Sequence, residues 1–378
     1  MSALRLLHLH SSFTPGGKEL RAVKLMNRFG PGVKHTIVSG VPGALGAAAA
    51  IDPAIAVSFP EGFPPLAGAL SPGRLGALAR AMQGHDLVLT YNWGAMDAVM
   101  AHRLFARRLG LAPLVHHEDG FNHDEAGGLK PGRNLYRRLA LPTAAALVVP
   151  SRQLEAIALR AWRQPRSRVR RIANGIPLAD FAAPAVADAV AGLVKQPGEL
   201  WLGTLAGLRA VKNLPRLVRG FAGLPAPWRL VILGEGPERA AILAEAARLG
   251  LADRVHLPGH VADPAAVLGL FDLFALSSDS EQFPISVVEA MAAGLTVVSP
   301  AVGDVAAMVA QENRAWIVAP GDEAGLAGAL AQAAADPARR SAIGTANRAR
   351  AQAEYAEATM LEAYRTAYAA ALGRPSFP

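Results

Sequence analysis

The sequence contains no cysteine. Disulfide staples, thiolate zinc sites, iron–sulfur ligation and thiol nucleophiles are all excluded by that one absence. Aromatic residues make up only 6% of the 378, and neither a zinc-finger pattern nor an aromatic single-strand-binding signature occurs, which argues against nucleic acid as a partner. No stretch approaches the roughly eighteen uninterrupted apolar residues of a membrane span, because the alanine-rich segment that begins near Gly46 is broken by Asp52 and Pro53. The first ten residues end their apolar run in histidines, with no small-residue cleavage site after it, so they read as a first β-strand and not as an export signal. Neither G-x-G-x-x-G nor a Walker loop is present, and NAD and P-loop nucleotide chemistry lose support accordingly.

What is there is a chain with 52% hydrophobic residues, long enough for two α/β domains that each bury a core. Its net charge of +8 is uneven: residues 1–190 carry 22 Lys and Arg against 12 Asp and Glu, residues 191–378 carry 16 against 18. A basic first half implies an anionic counterpart, either a phosphorylated substrate or an acidic membrane surface.

Short apolar runs alternate with helical patterns through the first half, as expected of a parallel sheet with crossover helices. The rhythm lapses near residues 177–197, then restarts at Glu199 with a second series of strands, and the chain closes in an alanine-rich helical tail. The expected architecture is α/β: two Rossmann-like, doubly wound domains, residues 1–180 and 181–350, facing across a cleft, with a terminal helix over 351–378 packing back on the first. Carboxyl ends of parallel strands open onto such clefts, so chemistry is sought there.

Three segments carry it. After the first strand, Gly16 and Gly17 leave their amides uncovered at the mouth of a helix starting near Lys18, a place suited to a phosphate. Glu281 ends the run that follows Phe271–Ser277, and Glu289 follows eight residues later, a little over two helical turns, in a helix opened by Pro284. Two carboxylates so spaced suit a ligand rich in diols, each oxygen accepting from a hydroxyl. After a strand at Leu114 come His116, His117, Glu118 and Asp119, whose spacing is not that of a metal site. Asn92 and Trp93 end another strand as a candidate acceptor platform; His8 and His10 alternate with leucines on the first strand; and the basic run from Arg163 to Arg171 could lean on anionic headgroups.

The segments from Glu281 to Val309, from Gly203 to Phe221 and from Trp228 to Ile242, together with Thr14–Leu20 and Ile172–Pro177, resemble the retaining glycosyltransferases of the GT-B fold, family 4. The resemblance spans most of residues 4–320 and is best in the second half. It implies transfer of a sugar from a UDP- or GDP-linked donor to a hydroxyl, with retention of anomeric configuration. It implies that Glu281 holds the transferred sugar, Gln282, Phe283 and Pro284 form the segment that orients it, Glu289 binds ribose, and Gly16 and Gly17 approach the diphosphate. Gln282 stands where the family has glycine. Thr204 stands where the family has a phosphate-clamping arginine, with Arg209 and Lys212 following as the cations for the leaving diphosphate. The family's histidine near the reacting sugar matches His117 best, with His116 or Asp119 in shifted register.

Sequence and resemblance together imply no cofactor and no metal, since no D-x-D occurs. They imply a glycan or polyprenyl-diphosphate-linked acceptor in surface polysaccharide synthesis, and a cytoplasmic enzyme touching the inner face of the membrane. The competing readings are a sugar-nucleotide 2-epimerase of the same architecture and a non-catalytic two-lobed sugar-binding protein.

Overall fold

The computed structural model describes residues 3–121, 125, 128–183 and 185–378. Two compact units divide the chain: Met1–Ala173 with Met360–Pro378, and Asn174–Thr359.

The first unit is built on seven parallel strands, β1 (Leu4–His10), β2 (Val33–Ser39), β3 (Ala56–Ser58), β4 (Leu87–Tyr91), β5 (Leu114–His117), β6 (Ala146–Val149) and β7 (Val169–Arg171). They lie in the order β3-β2-β1-β4-β5-β6-β7. Its helices are α1 (Gly17–Phe29), α2 (Pro72–Ala81), α3 (Met96–Leu109), α4 (Pro131–Ala140) and α5 (Arg152–Arg160). Alternation along the strands divides the core in two. Leu4 and Leu6 face Val23, Met26, Tyr364 and Tyr368. Leu7 and Leu9 fall in the cluster of Leu78, Val99, Leu154 and Trp162. With helices on both faces, the central strands are largely buried, although β1, β2 and β5 also carry the buried histidines His8, His10, His35, His116 and His117.

The second unit repeats the plan with β8 (Leu200–Leu205), β9 (Trp228–Leu233), β10 (Val255–Gly259), β11 (Leu273–Ala275), β12 (Val297–Pro300) and β13 (Ile317–Val318), ordered β10-β9-β8-β11-β12-β13. Helices α6 (Leu214–Phe221), α7 (Arg239–Arg248), α8 (Pro264–Leu268), α9 (Ile285–Ala292), α10 (Val305–Met308), α11 (Glu323–Ala335) and α12 (Pro337–Glu354) accompany it. The last helix, α13 (Glu357–Leu372), carries Met360, Tyr364, Ala367 and Tyr368 at helical spacing, and this stripe is buried in the core of the first unit.

In each sheet the strand order reverses between two neighbours: β1 and β4 in the first, β8 and β11 in the second. Loops leaving the carboxyl ends of such a pair run apart and leave a crevice, the usual ligand position in an open α/β sheet. The doubly wound class expected from the sequence is the one observed. Among the described residues, no helix is long and apolar enough to cross a membrane.

Candidate functional site

In the second unit the crevice residues come from the loops after β8 and β11. Beyond Leu205 the chain turns through a single 3-10 turn, Ala210–Lys212, into α6. The loop after β9 presses against it: a Cβ on Gly234 would stand 1.9 Å from the Ala206 carbonyl oxygen, and one on Gly236 2.4 Å from that of Leu208. Both glycines also hold positive φ, 145° and 155°, so no other residue fits. From β11 the return loop is stitched to the same turn. Asp279 donates its amide to the Val211 carbonyl at 2.9 Å, and Ser277 Oγ donates to the Lys212 carbonyl at 2.9 Å.

These ties set the side chains. Lys212 Nζ donates to Glu281 Oε1 at 2.5 Å, and Ser278 Oγ donates to the same oxygen at 2.7 Å. Behind Glu281, Gly303 (φ 55°) leaves no room for a Cβ, which would lie 2.6 Å from the carbonyl oxygens of Glu281 and Gln282. The Asp304 amide then donates to the Gln282 carbonyl at 3.1 Å, so the segment is held from both sides. Phe283 is buried against the Tyr355 ring, 5.8 Å between centroids, and Pro284 caps α9. Glu289 is half-buried in the second turn of α9, between the buried Val288 and Ala290. Thr204 is fully buried inside β8, whereas Arg209 is exposed at the start of the 3-10 turn.

In the first unit, Gly16 and Gly17 begin α1. A Cβ on Gly16 would stand 2.8 Å from Glu19 Oε2, so the buried Glu19 carboxylate, paired with Lys18, lies back at this helix start. Gly94, after β4, packs so closely on Ser11, after β1, that a Cβ there would stand 2.2 Å from the serine Cβ. Asn92 takes a left-handed φ of 56°, and its Oδ1 accepts the Asp119 amide at 2.7 Å. Asp119 in turn receives both ends of the Arg21 guanidinium from α1, Nη2 to Oδ2 at 2.8 Å. Burial alone would raise this carboxyl, but the Arg21 charge and its hydrogen bonds outweigh burial and hold it below the ordinary range.

Neither strand-end histidine reaches solvent. His116 is enclosed, Nδ1 at 2.8 Å from Thr90 Oγ1 and Nε2 at 3.6 Å from Glu118. His117 Nδ1 lies 3.2 Å from the Thr90 carbonyl and Nε2 2.9 Å from the Tyr368 hydroxyl. A carbonyl only accepts, so Nδ1 carries the proton and Nε2 takes the tyrosine's. Burial, then the Arg21 charge, pushes this histidine down to about 3. His8, bonded to Tyr91 and His35, and His10, stacked 3.9 Å from Tyr91, are interior as well.

A family model of glycosyltransferase family 4 matches residues 6–180, and one of glycosyl transferases group 1 matches residues 190–350. Between them they span nearly all of both units. The chain is a glycosyltransferase of the GT-B fold. D-inositol 3-phosphate glycosyltransferase of Xylanimonas cellulosilytica is 28% identical over 79% of this chain and 76% of its own length. N-acetyl-alpha-D-glucosaminyl L-malate synthase of Bacillus anthracis is 26% identical over 43% of this chain, and the match spans 44% of that relative. Among solved structures, Alr3699/HepE of Anabaena in complex with UDP shares the fold at a TM-score of 0.80 and 20% identity, over 97% of this chain and 100% of that one.

Within this glycosyltransferase, Lys212 and Glu281 are brought into contact, Gln282, Phe283 and Pro284 follow directly, and Asn92 and Asp119 meet at the ends of β4 and β5. His116 and His117 are instead turned into the interior. Both faces of the sheet are covered, so a residue still inside β5 is buried whichever way it points, and only residues past His117 can reach the edge. Asn122–Asp124, Ala126 and Gly127 of the same acidic, histidine-rich run lie outside the described residues. Sequence reasoning missed Ser278, Gly303 and Arg21. Arg21 had a signal: it sits among Ala22, Leu25 and Met26 on the apolar face of α1, where a charge needs a partner. Among the described residues, no group of three His, Asp or Glu could hold a metal ion.

Proposed function

We propose that this glycosyltransferase moves a sugar from a nucleotide diphosphate donor to a hydroxyl of a glycan or lipid-linked glycan, with retention, in the building of a surface polysaccharide. The observation that carries the donor half is the Lys212–Glu281 contact at the β8/β11 reversal: a cation and a sugar-binding carboxylate delivered to one crevice by two loops. In the free enzyme each neutralises the other. A bound donor separates their tasks, Lys212 turning to the diphosphate and Glu281 to the sugar hydroxyls.

Charge builds on the diphosphate as the glycosidic bond breaks, and Lys212 with the exposed Arg209 stabilises it. Cations in that place make a divalent metal unnecessary. Gln282 Oε1 is buried without a partner among the described residues and can accept a donor hydroxyl. Glu289 binds ribose, and the Gly16 and Gly17 amides approach the diphosphate. The acceptor attacks from the face the diphosphate leaves, and a leaving-group oxygen takes its proton. His117, neutral and internally bonded, braces β4, β5 and α13, and Asp119 is the acceptor-side group at the strand end. The Anabaena protein's UDP complex supports a uridine nucleotide as the first donor to try. The basic first unit supports work at the inner face of the cytoplasmic membrane.

The test is incubation with UDP- and GDP-sugars and lipid-linked or free saccharide acceptors, with product mass and anomeric coupling recorded. A β-linked product from an α-linked donor would overturn retention. Nucleotide released equally with and without acceptor would overturn transfer.

A further inference from the structure

On the first unit, beside the carboxyl end of β4, lies a pocket of about 610 Å³. Leu66, Leu70 and Trp93 supply apolar walls, and Tyr136, Lys130 and Arg133 come from α4 and the residue before it. The Tyr136 ring meets Trp93 edge-on at 5.7 Å, and the Arg133 and Arg137 guanidiniums lie 4.9 and 5.0 Å from the Trp93 ring centre. Arg137 is wholly enclosed, bonded to Glu118 at 3.0 Å, and fixes the tryptophan from behind.

The polar groups decide what the pocket accepts. Among the described residues Asp97 is its one carboxylate, and both oxygens are taken: Oδ1 by the Tyr136 hydroxyl at 2.7 Å, Oδ2 by Arg74. A free oligosaccharide, with several hydroxyls to satisfy, finds few partners among the described residues, whereas a hydrocarbon finds leucine and tryptophan. Cations stand at the same pocket, Lys130 exposed and Arg133 steered by the buried Glu125 at 2.8 Å. Apolar surface also continues outward. Leu70 is 59% exposed, and Leu135 and Leu139, three and seven residues beyond Gly132 in the pocket wall, are 54% and 55% exposed on the outer stripe of α4.

We propose that this pocket is the acceptor subsite and that it takes an anionic lipid, with a phosphate at Lys130 and Arg133 and a hydrocarbon chain along Leu66, Leu70 and Trp93. The assignment rests on the transfer reading above for the word acceptor, while binding of the amphiphile does not. The leucine stripe of α4 then gives the remainder of the chain a course out of the pocket.

The experiment titrates the full-length protein calorimetrically with decyl phosphate, inorganic phosphate and octyl glucoside, each below micelle formation, and with UDP as a check that variants are folded. Decyl phosphate is expected to bind roughly tenfold or more tightly than either of the others, since only it engages cation and apolar wall together. Arg133→Ala and Leu70→Asp should each erase roughly that tenfold preference, while Lys34→Ala, near the opposite strand ends, leaves it intact. Inorganic phosphate binding as tightly as decyl phosphate would mean a free-phosphate site and overturn the lipid assignment. Equal affinities in wild type and both pocket variants would overturn the location. Transfer to a free oligosaccharide without decyl phosphate binding would sink the subsite and leave the glycosyltransferase. Pocket-dependent decyl phosphate binding without transfer from any nucleotide sugar would do the reverse.

Discussion

The two units share a strand order and differ in what they do with charge. The first holds 24 Lys and Arg against 11 Asp and Glu, +13, and eight of the ten histidines; the second holds 14 against 19, −5, and two histidines. In the first, titratable groups enter the interior: His10 and His117 are buried with Tyr91, Tyr364 and Tyr368 near the Arg21–Asp119 pair, His8 is bonded to His35 and Tyr91, and His116 lies on the other face against Thr90 and Glu118. In the second, the charged pair stands on the loops after β8 and β11, where Lys212 meets Glu281 and where we propose the donor binds. A common scaffold thus carries a buried polar core in one copy and a charged loop pair in the other.

That contrast can be broken most sharply at Arg21. Arg21→Met leaves Asp119 buried and uncompensated, which should cost the first unit about 3–5 kcal/mol of stability. Chemical denaturation with hydrogen exchange resolved by unit should show the loss confined to residues 1–173 and 360–378. Lys212→Ala should do the opposite, lowering turnover by roughly a hundredfold or more while both units keep their stability, because the work we propose for it is on charge that appears only during reaction. Steady-state kinetics beside a melting curve decides it, and a stability loss without a rate loss would make the pair structural.

Acid should separate the units next. Burial is the main cause that depresses His35 to about 4 and His117 to about 3, and it lowers His8 and His10 too. Unfolded histidine titrates near 6.5, so the unfolded state binds more protons between these values. The stability from burying these histidines neutral is therefore complete above about pH 6.5 and drains away as pH falls toward about 4. In the second unit, whose interior holds far fewer histidines, His256 is lowered, chiefly by burial. Hydrogen exchange at pH 7.5 and pH 5 should show protection lost in the first unit ahead of the second. Equal loss would mean the buried histidines are not held neutral.

Smaller effects sharpen the loop picture. Arg209→Ala should reduce turnover by roughly tenfold, less than Lys212→Ala, because an exposed guanidinium is the more screened of the two. A rate near wild type would remove Arg209 from the diphosphate site. Excess EDTA should change transfer by a factor of about two or less if the cations stand in for a metal; abolition restored by manganese would refute that.

Much of this was legible beforehand. Most strands among the described residues coincide with short apolar runs in the sequence; Asn92 directly follows β4, and Lys212 and Glu281 lie in the loops after β8 and β11. Ser278 and Gly303 were not legible, since nothing local distinguishes a serine that will bond a carboxylate or a glycine pressed by a carbonyl 22 residues earlier.

The amino-acid sequence by itself determined the alternation of strand and helix, the restart that makes two units, and the residue types at the strand ends, because these rest on periodicity and turn chemistry within a few residues. Only tertiary structure decided that Lys212 and Glu281, 69 positions apart, touch, and that His117 is a brace and not a surface group. Period-two alternation says that His116 and His117 point to opposite faces, but it cannot say that helices cover both. That covering is a property of α3, α4 and α13 packing on the sheet, and it leaves Asp119, two residues on, as the group at the edge.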